Sequence, residues 1–214
     1  MSAEHRWKRF GFWFSSTSII VALFIVAQFN PEDLNHQEGE GVFQEVVDSR
    51  MKNEINSLRS RFGVRYSVIL VVISNTNLGR PYAAIAGLRD RNNGDTILAI
   101  TLNQEGYDVA RRLGEKELRA LLAHEIGHYV MRDPRIFNPR DSTISPCEMG
   151  LQEVYADAFA EAVTGREALF NFLAALRLPP NVLEDRLRLL NLFYRNPEAL
   201  RALCYGERDF GPRA

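Results

Sequence analysis

The stretch Ala123-His124-Glu125-Ile126-Gly127-His128-Tyr129 constrains this chain more than any other. Around it, Glu117 to Arg132 carries Leu118, Leu121, Leu122, Ile126 and Tyr129 at helical spacing, which predicts an amphipathic helix. Positions i and i+4 share a face of a helix. His124 and His128 therefore project side by side and can hold one metal ion. Glu125 lies next to them, where a carboxylate can take a proton from a metal-activated water. Two chance histidines on an ordinary helix give the same letters, so the neighbouring sequence has to decide. A catalytic zinc takes three protein ligands and keeps one position open. The fold must therefore bring a further ligand to this helix face.

Histidine is scarce: the chain has His5, His36, His124 and His128 only. The longer pattern H-E-x-x-H-x-x-G-x-x-H fails, with Met131 at the glycine and Pro134 at the last histidine. His36 lies close to an apolar N-terminal run and is a poor candidate. Gly150 to Thr164 reads as a second helix, and on it Glu153 and Asp157 stand at i and i+4. Glu153 can ligate zinc, while Asp157 can accept a hydrogen bond from a ligating imidazole and fix its tautomer. The competing reading is an exposed acidic face, which Glu161 would extend. Beside H-E-x-x-H, with no other histidine at hand, ligation is the stronger reading. Cys147, in the loop Ser145-Pro146-Cys147, is a rival third ligand. The alternative for it is a disulfide with Cys204, which a location outside the cytoplasm permits. Two cysteines in all exclude a zinc ribbon or a disulfide-dense scaffold.

The N-terminus has its own signature. Residues 1–10 carry Arg6, Lys8 and Arg9 against a single Glu4, and residues 11–29 carry no charge at all. A run of that length matches the ~20 residues that cross a bilayer core. Trp7, Phe10, Trp13 and Phe29 lie near its ends, and acids from Glu32 to Asp48 precede the next basic residue, Arg50. This pattern predicts a basic cytoplasmic tail (1–10), a transmembrane signal anchor (11–29), a polar linker (30–41) and a domain outside the cytoplasm, in the periplasm if the cell is bacterial. A cleaved signal peptide and a buried helix are the competing readings; no clear A-x-A cleavage site is present. With a net charge of −1, nothing points to nucleic acid.

Residues 42–205 then form the main domain, and 206–214 a flexible tail. Val42 to Phe62 reads as one amphipathic helix ended by Gly63. Val64–Ile73, Tyr82–Leu88 and Thr96–Leu102 read as strands, the last two joined across the hairpin signal Asn93-Gly94. The expected sheet is small and mostly antiparallel, with an edge able to take a protein or peptide substrate as an added strand. Arg166–Leu176, Pro180–Arg195 and Glu198–Tyr205 read as helices, with Val182, Leu183, Leu187, Leu190 and Tyr194 turned inward. The fold class is therefore α+β: a mainly helical domain with a small sheet and one N-terminal transmembrane helix.

H-E-x-x-H on one helix followed by E-x-x-x-D on another resembles the gluzincin metallopeptidases of the HtpX and CAAX-prenyl-endopeptidase type. Leu118–His128 (LRALLAHEIGH) resembles that family's L-x-A-V-L-A-H-E-x-G-H. Glu153–Ala162 (EVYADAFAEA) resembles its E-x-x-A-D-x-x-A run, and Pro179-Pro180 with Glu184-Asp185-Arg186-Leu187 resembles its P-P-x-x-E-x-R-I segment. The resemblance implies a zincin-like domain and zinc-dependent endoproteolysis with one zinc per chain. It also implies His124, His128 and Glu153 as ligands and Glu125 as general base, in a membrane enzyme of protein quality control. Two positions depart from the family: Leu178 replaces a histidine before Pro-Pro, and Tyr82–Ala86 lacks the edge-strand asparagine. Arg186 or Tyr155 are the candidate oxyanion stabilisers in place of that histidine. The reading from a different class is a zinc-binding scaffold or chaperone-like partner without proteolysis, against which the free carboxylate of Glu125 argues.

Overall fold

The computed structural model describes residues 43–45, 48–73, 83–89, 95–137 and 144–205. The proposed tail, anchor and linker (1–41) and the C-terminal tail (206–214) lie outside the described residues. Among those described, no helix is long and apolar enough to cross a membrane.

The chain runs β1 (Phe43–Glu45), α1 (Ser49–Arg61), β2 (Ser67–Ile73), β3 (Ala83–Arg89), β4 (Thr96–Asn103) and α2 (Gln104–Arg112). It continues with α3 (Glu115–Val130), a 3-10 turn (Pro134–Ile136), α4 (Pro146–Thr164), α5 (Arg166–Ala175), α6 (Pro180–Arg195) and α7 (Pro197–Tyr205). The domain is mainly helical α+β, as the periodicities indicate.

Residues 42–62 are not one helix. Asp48 caps α1, its carboxylate accepting from the backbone N–H of Arg50 and Met51 at 2.9 and 3.1 Å. Phe43–Glu45 instead pairs with β2. Gln104–Arg112, which carries no obvious period, is a helix capped by Asn103. Its last turn is closed by Arg50, whose guanidinium donates to the carbonyls of Ala110, Arg111 and Leu113 at 3.0–3.2 Å. A cation at a helix C-terminus satisfies both the orphan carbonyls and the helix dipole.

The sheet is mixed: mostly antiparallel, as expected, with one parallel pair. Its order is β1-β2-β4-β3; the outer pairs are antiparallel, and the central pair β2–β4 is parallel. The reason is visible in the residues. Val68–Ile73 is a continuous apolar run and Ile97–Leu102 is one broken only by Thr101, the signature of strands covered on both faces. The small-residue strand β3 (Ala83-Ala84-Ile85-Ala86-Gly87) is left at the edge, beside β4.

One core joins the inner sheet face to the helices. Leu70, Val72, Leu98, Ile100 and Leu102 pack with Met51, Ile55 and Leu58 of α1 and Leu118, Leu121, Leu122 and Ile126 of α3. Phe172 and Leu173 of α5 and Leu189 and Leu190 of α6 close it on the far side. Tyr194, expected inward, is half exposed, with its hydroxyl donating to the Ala158 carbonyl at 3.3 Å.

The contact that sets the metal-ligating geometry is between α3 and α4. A Cβ on Gly127 would stand 3.2 Å from Ala156 Cα and Phe159 Cβ, and 3.1 Å from Phe159 Cδ1. Only glycine lets the two helices come this close, and the approach brings α4 carboxylates to the α3 histidines. Gly127→Val should cost about 2–3 kcal/mol through overpacking, more than its effect on helix propensity. Thermal unfolding and zinc titration check this: a lower melting temperature with weaker zinc binding is expected.

Candidate metal centre

His124 and His128 are both buried on α3, with ring centroids 4.9 Å apart. Glu153 reaches them from α4. His124 Nε2 lies 3.5 Å from one carboxylate oxygen, and His128 Nε2 lies 3.7 Å from the other. One ligand atom from each of the three residues falls within 4.8 Å of the others. Zinc bonds of ~2.0–2.1 Å in a tetrahedral arrangement require ligand–ligand separations of about 3.3 Å. The two histidine–glutamate pairs sit close to that value, and all three ligand atoms lie within 4.8 Å of one another.

The outward nitrogens are also taken. His124 Nδ1 lies 2.9 Å from Asp157 Oδ1, although the ring N–H is not aimed straight along that vector. His128 Nδ1 lies 2.9 Å from Asp133 Oδ2. Such carboxylate partners leave Nε2 as the metal-facing atom and raise the basicity of the ligand.

Asp133 was not legible as a site residue. It reaches His128 because α3 ends in a Schellman-type turn. The N–H of Asp133 donates to the His128 carbonyl at 2.8 Å, and that of Arg132 donates to Tyr129 at 3.1 Å, with Arg132 at φ 61°. The chain thus folds back under the histidine that it has just left. Arg135, one residue past Pro134, donates from Nε to both Asp133 oxygens and from Nη2 to Glu153 Oε1 at 3.1 Å.

The remaining candidates are placed as follows. Glu125 is buried, and its Oε2 has no hydrogen-bond partner among the described residues. Asp157 is fully buried and paired bidentately with Arg186 at 2.7 and 2.9 Å. Arg186 is thereby committed to Asp157 and sits 3.6 Å from Glu153 Oε2. Tyr155 is turned to the other side of α4, against Phe193, with its hydroxyl accepting from Arg201 at 3.4 Å. It is not among the residues brought together at the centre. Cys147 lies in the first turn of α4 rather than in a loop, behind the Ser145–Glu148 capping box. It forms a disulfide with Cys204 of α7, Cα to Cα 5.4 Å, and so is not a ligand.

Electrostatics decide what the cluster holds. Burial works against every charge here, and the partners outweigh it. Histidine and arginine neighbours keep Glu153 well below the carboxylate range. Arg186 and His124 keep Asp157 below it, and His128 and Arg135 bring Asp133 down to about 2. Glu125 goes the other way, because burial dominates and pushes its carboxyl up. His124, despite burial, is held up to about 10 by Asp157 and Glu153. Four carboxylates (Glu125, Asp133, Glu153, Asp157) thus face two guanidiniums (Arg135, Arg186), an acidic excess that favours a cation. Two imidazoles with one carboxylate is a donor set suited to zinc.

A model of peptidase family M48 matches residues 50–145. Over those residues the chain is similar to an M48 peptidase domain. The match covers α1 to the N-cap of α4 and includes His124, Glu125 and His128, while Glu153 follows just beyond it on α4. No curated protein and no solved structure matches the chain. With that match and the His-His-Glu cluster, the protein is a zinc metalloendopeptidase, and its substrates are proteins.

In the metal-free site His124 carries a proton at neutral pH, because Asp157 and Glu153 hold its pKa up to about 10 against burial. Zinc needs the neutral ring, so binding expels about one proton and affinity climbs as pH rises through the neutral range. The sign is fixed: the raised pKa favours the metal-free, protonated site below about 10 and stops opposing zinc above it. Titration calorimetry in buffers of different ionisation enthalpy should show this release; a binding heat independent of buffer would contradict it.

Proposed function

We propose that this protein is a membrane-anchored zinc endopeptidase of the extracytoplasmic side, in which Glu125 is the general base. The observation that carries the chemistry is the Glu125 carboxylate, buried beside the His-His-Glu cluster with Oε2 free of any partner among the described residues. A structural metal site has no use for such a group. Bound at the cluster, zinc supplies Lewis acidity to the scissile carbonyl and to the attacking water. His124, His128 and Glu153 hold the ion, and Asp157 orients His124. Glu125 takes the proton of the water at Oε2 and delivers it to the departing amine nitrogen. Its raised pKa suits a group that must both accept and return a proton.

Substrate would lie as an added strand along β3. That strand is at the sheet edge and packs against α3 and the turn that follows it. An edge offers unpaired backbone groups to an extended peptide. Location outside the cytoplasm is supported by the uncharged run 11–29, with basic residues before it and acidic residues after it. The Cys147–Cys204 disulfide suits the same oxidising setting. The HtpX-type resemblance supports a role in clearing unfolded polypeptides there.

The test compares full-length wild type and Glu125→Gln in detergent, with bound zinc and casein cleavage as readouts. Both should bind zinc, and cleavage should fall by about 10²–10⁴-fold or more in the variant, the range for loss of a general acid–base. Equal zinc and equal cleavage in the two would remove Glu125 from the mechanism. Equal zinc with no cleavage by either would favour the scaffold reading.

A further inference from the structure

We propose that Asp133 and Arg135 form a second positioning clamp for the metal centre, one that mirrors Asp157 and Arg186. The inference rests on the zinc reading of the His-His-Glu cluster and extends it to two residues on the turn after α3. On one side, His124 Nδ1 meets Asp157, Asp157 is paired with Arg186, and Arg186 Nη2 stands 3.6 Å from Glu153 Oε2. On the other side, His128 Nδ1 meets Asp133 at 2.9 Å, Asp133 is paired with Arg135, and Arg135 Nη2 donates to Glu153 Oε1 at 3.1 Å. Each half therefore closes a ring through histidine, aspartate, arginine and one oxygen of the same glutamate. His124, His128 and Glu153, which would hold the ion, are therefore each anchored by one or both rings.

The halves come from different parts of the fold. Asp157 and Arg186 are supplied by α4 and α6, whereas Asp133 and Arg135 sit in a turn of a few residues. The turn is itself rigid: Asp133 caps it by accepting from the Arg135 N–H at 2.9 Å, and Pro134 fixes its first position. Both groups are therefore pre-set rather than recruited. Exposure also separates the halves. The Arg135 side chain is 25% exposed and that of Arg186 7%, so the Asp133–Arg135 half borders the solvent side of the centre. Arginine is required at this position by geometry. One planar guanidinium spans Asp133 and Glu153, which a lysine ammonium cannot do with the same fork.

A merely structural role, in which Asp133 only caps the turn, predicts a different set of results. The measurement is zinc affinity and zinc release to a chelator in the full-length protein, together with thermal unfolding of the metal-free form. Asp133→Asn retains an acceptor for the turn and for His128 but removes the charge that pairs with Arg135. Arg135→Lys retains charge but not the fork, and Arg135→Ala removes both. The clamp predicts that Asp133→Asn and Arg135→Ala weaken zinc binding by roughly 10- to 100-fold, the range for outer partners of metal ligands. Arg135→Lys should recover only part of the loss, and the double variant should lose less than the product of the single losses, because both residues act through one ring. Zinc affinity within about twofold of wild type in both single variants, with only the metal-free melting temperature lowered, would overturn the clamp and leave the metal centre standing. Failure of wild type to bind zinc would overturn the centre and the clamp together.

Discussion

An excess of buried and half-buried carboxylates over guanidiniums governs this molecule. Glu125, Asp133, Glu153 and Asp157 lie within one small volume between α3 and α4, against only Arg135 and Arg186. Burying unpaired carboxylates is expensive in a low-dielectric interior. In the metal-free protein a proton on His124 offsets part of the deficit, which is why that imidazole stays charged far above its usual range. A divalent ion would relieve it. The same imbalance makes the centre a strong ligand set, and the neighbouring arginines keep Glu153 ionised for the purpose.

The fold serves this centre through close approach. Gly127 lets α3 meet α4 at a separation that any larger residue would widen. Ala156 and Ala160, fully buried, line the facing side of α4. Behind them, the parallel β2–β4 pair and the α1, α5 and α6 side chains fix α3 in place. The ligands thus sit on the two most constrained helices, while the edge strand β3 stays open beside them. Such placement of reacting groups on rigid elements suits a site that has to hold a nucleophile and a peptide in register.

Much of this is legible in the residues. The two ligand helices announce themselves because both i, i+4 pairs, His124/His128 and Glu153/Asp157, sit in strong helical periods. The apolar runs of β2 and β4 also carry a signal for parallel, doubly covered strands, since neither alternates. Other parts leave little trace. β1 has three residues, too few for a period, and the cap at Asp48 is the only mark that α1 begins after it. Asp133 and Arg135 obey no helical spacing relative to the histidines. Their placement depends on Arg132 adopting φ 61°, a left-handed residue that is usually glycine. Arg186 offers a different lesson. Its pairing with Asp157 joins α6 to α4 through packing that no sequence period marks.

The central claim is that one zinc ion is held by His124, His128 and Glu153, with both cysteines outside its reach. X-ray absorption at the zinc edge of the purified full-length protein tests it most directly. The account predicts two imidazole scatterers with nitrogen and oxygen neighbours at ~2.0–2.2 Å, no sulfur, and an altered spectrum in Glu153→Gln. A sulfur neighbour at ~2.3 Å, or a spectrum unchanged by Glu153→Gln, would contradict it.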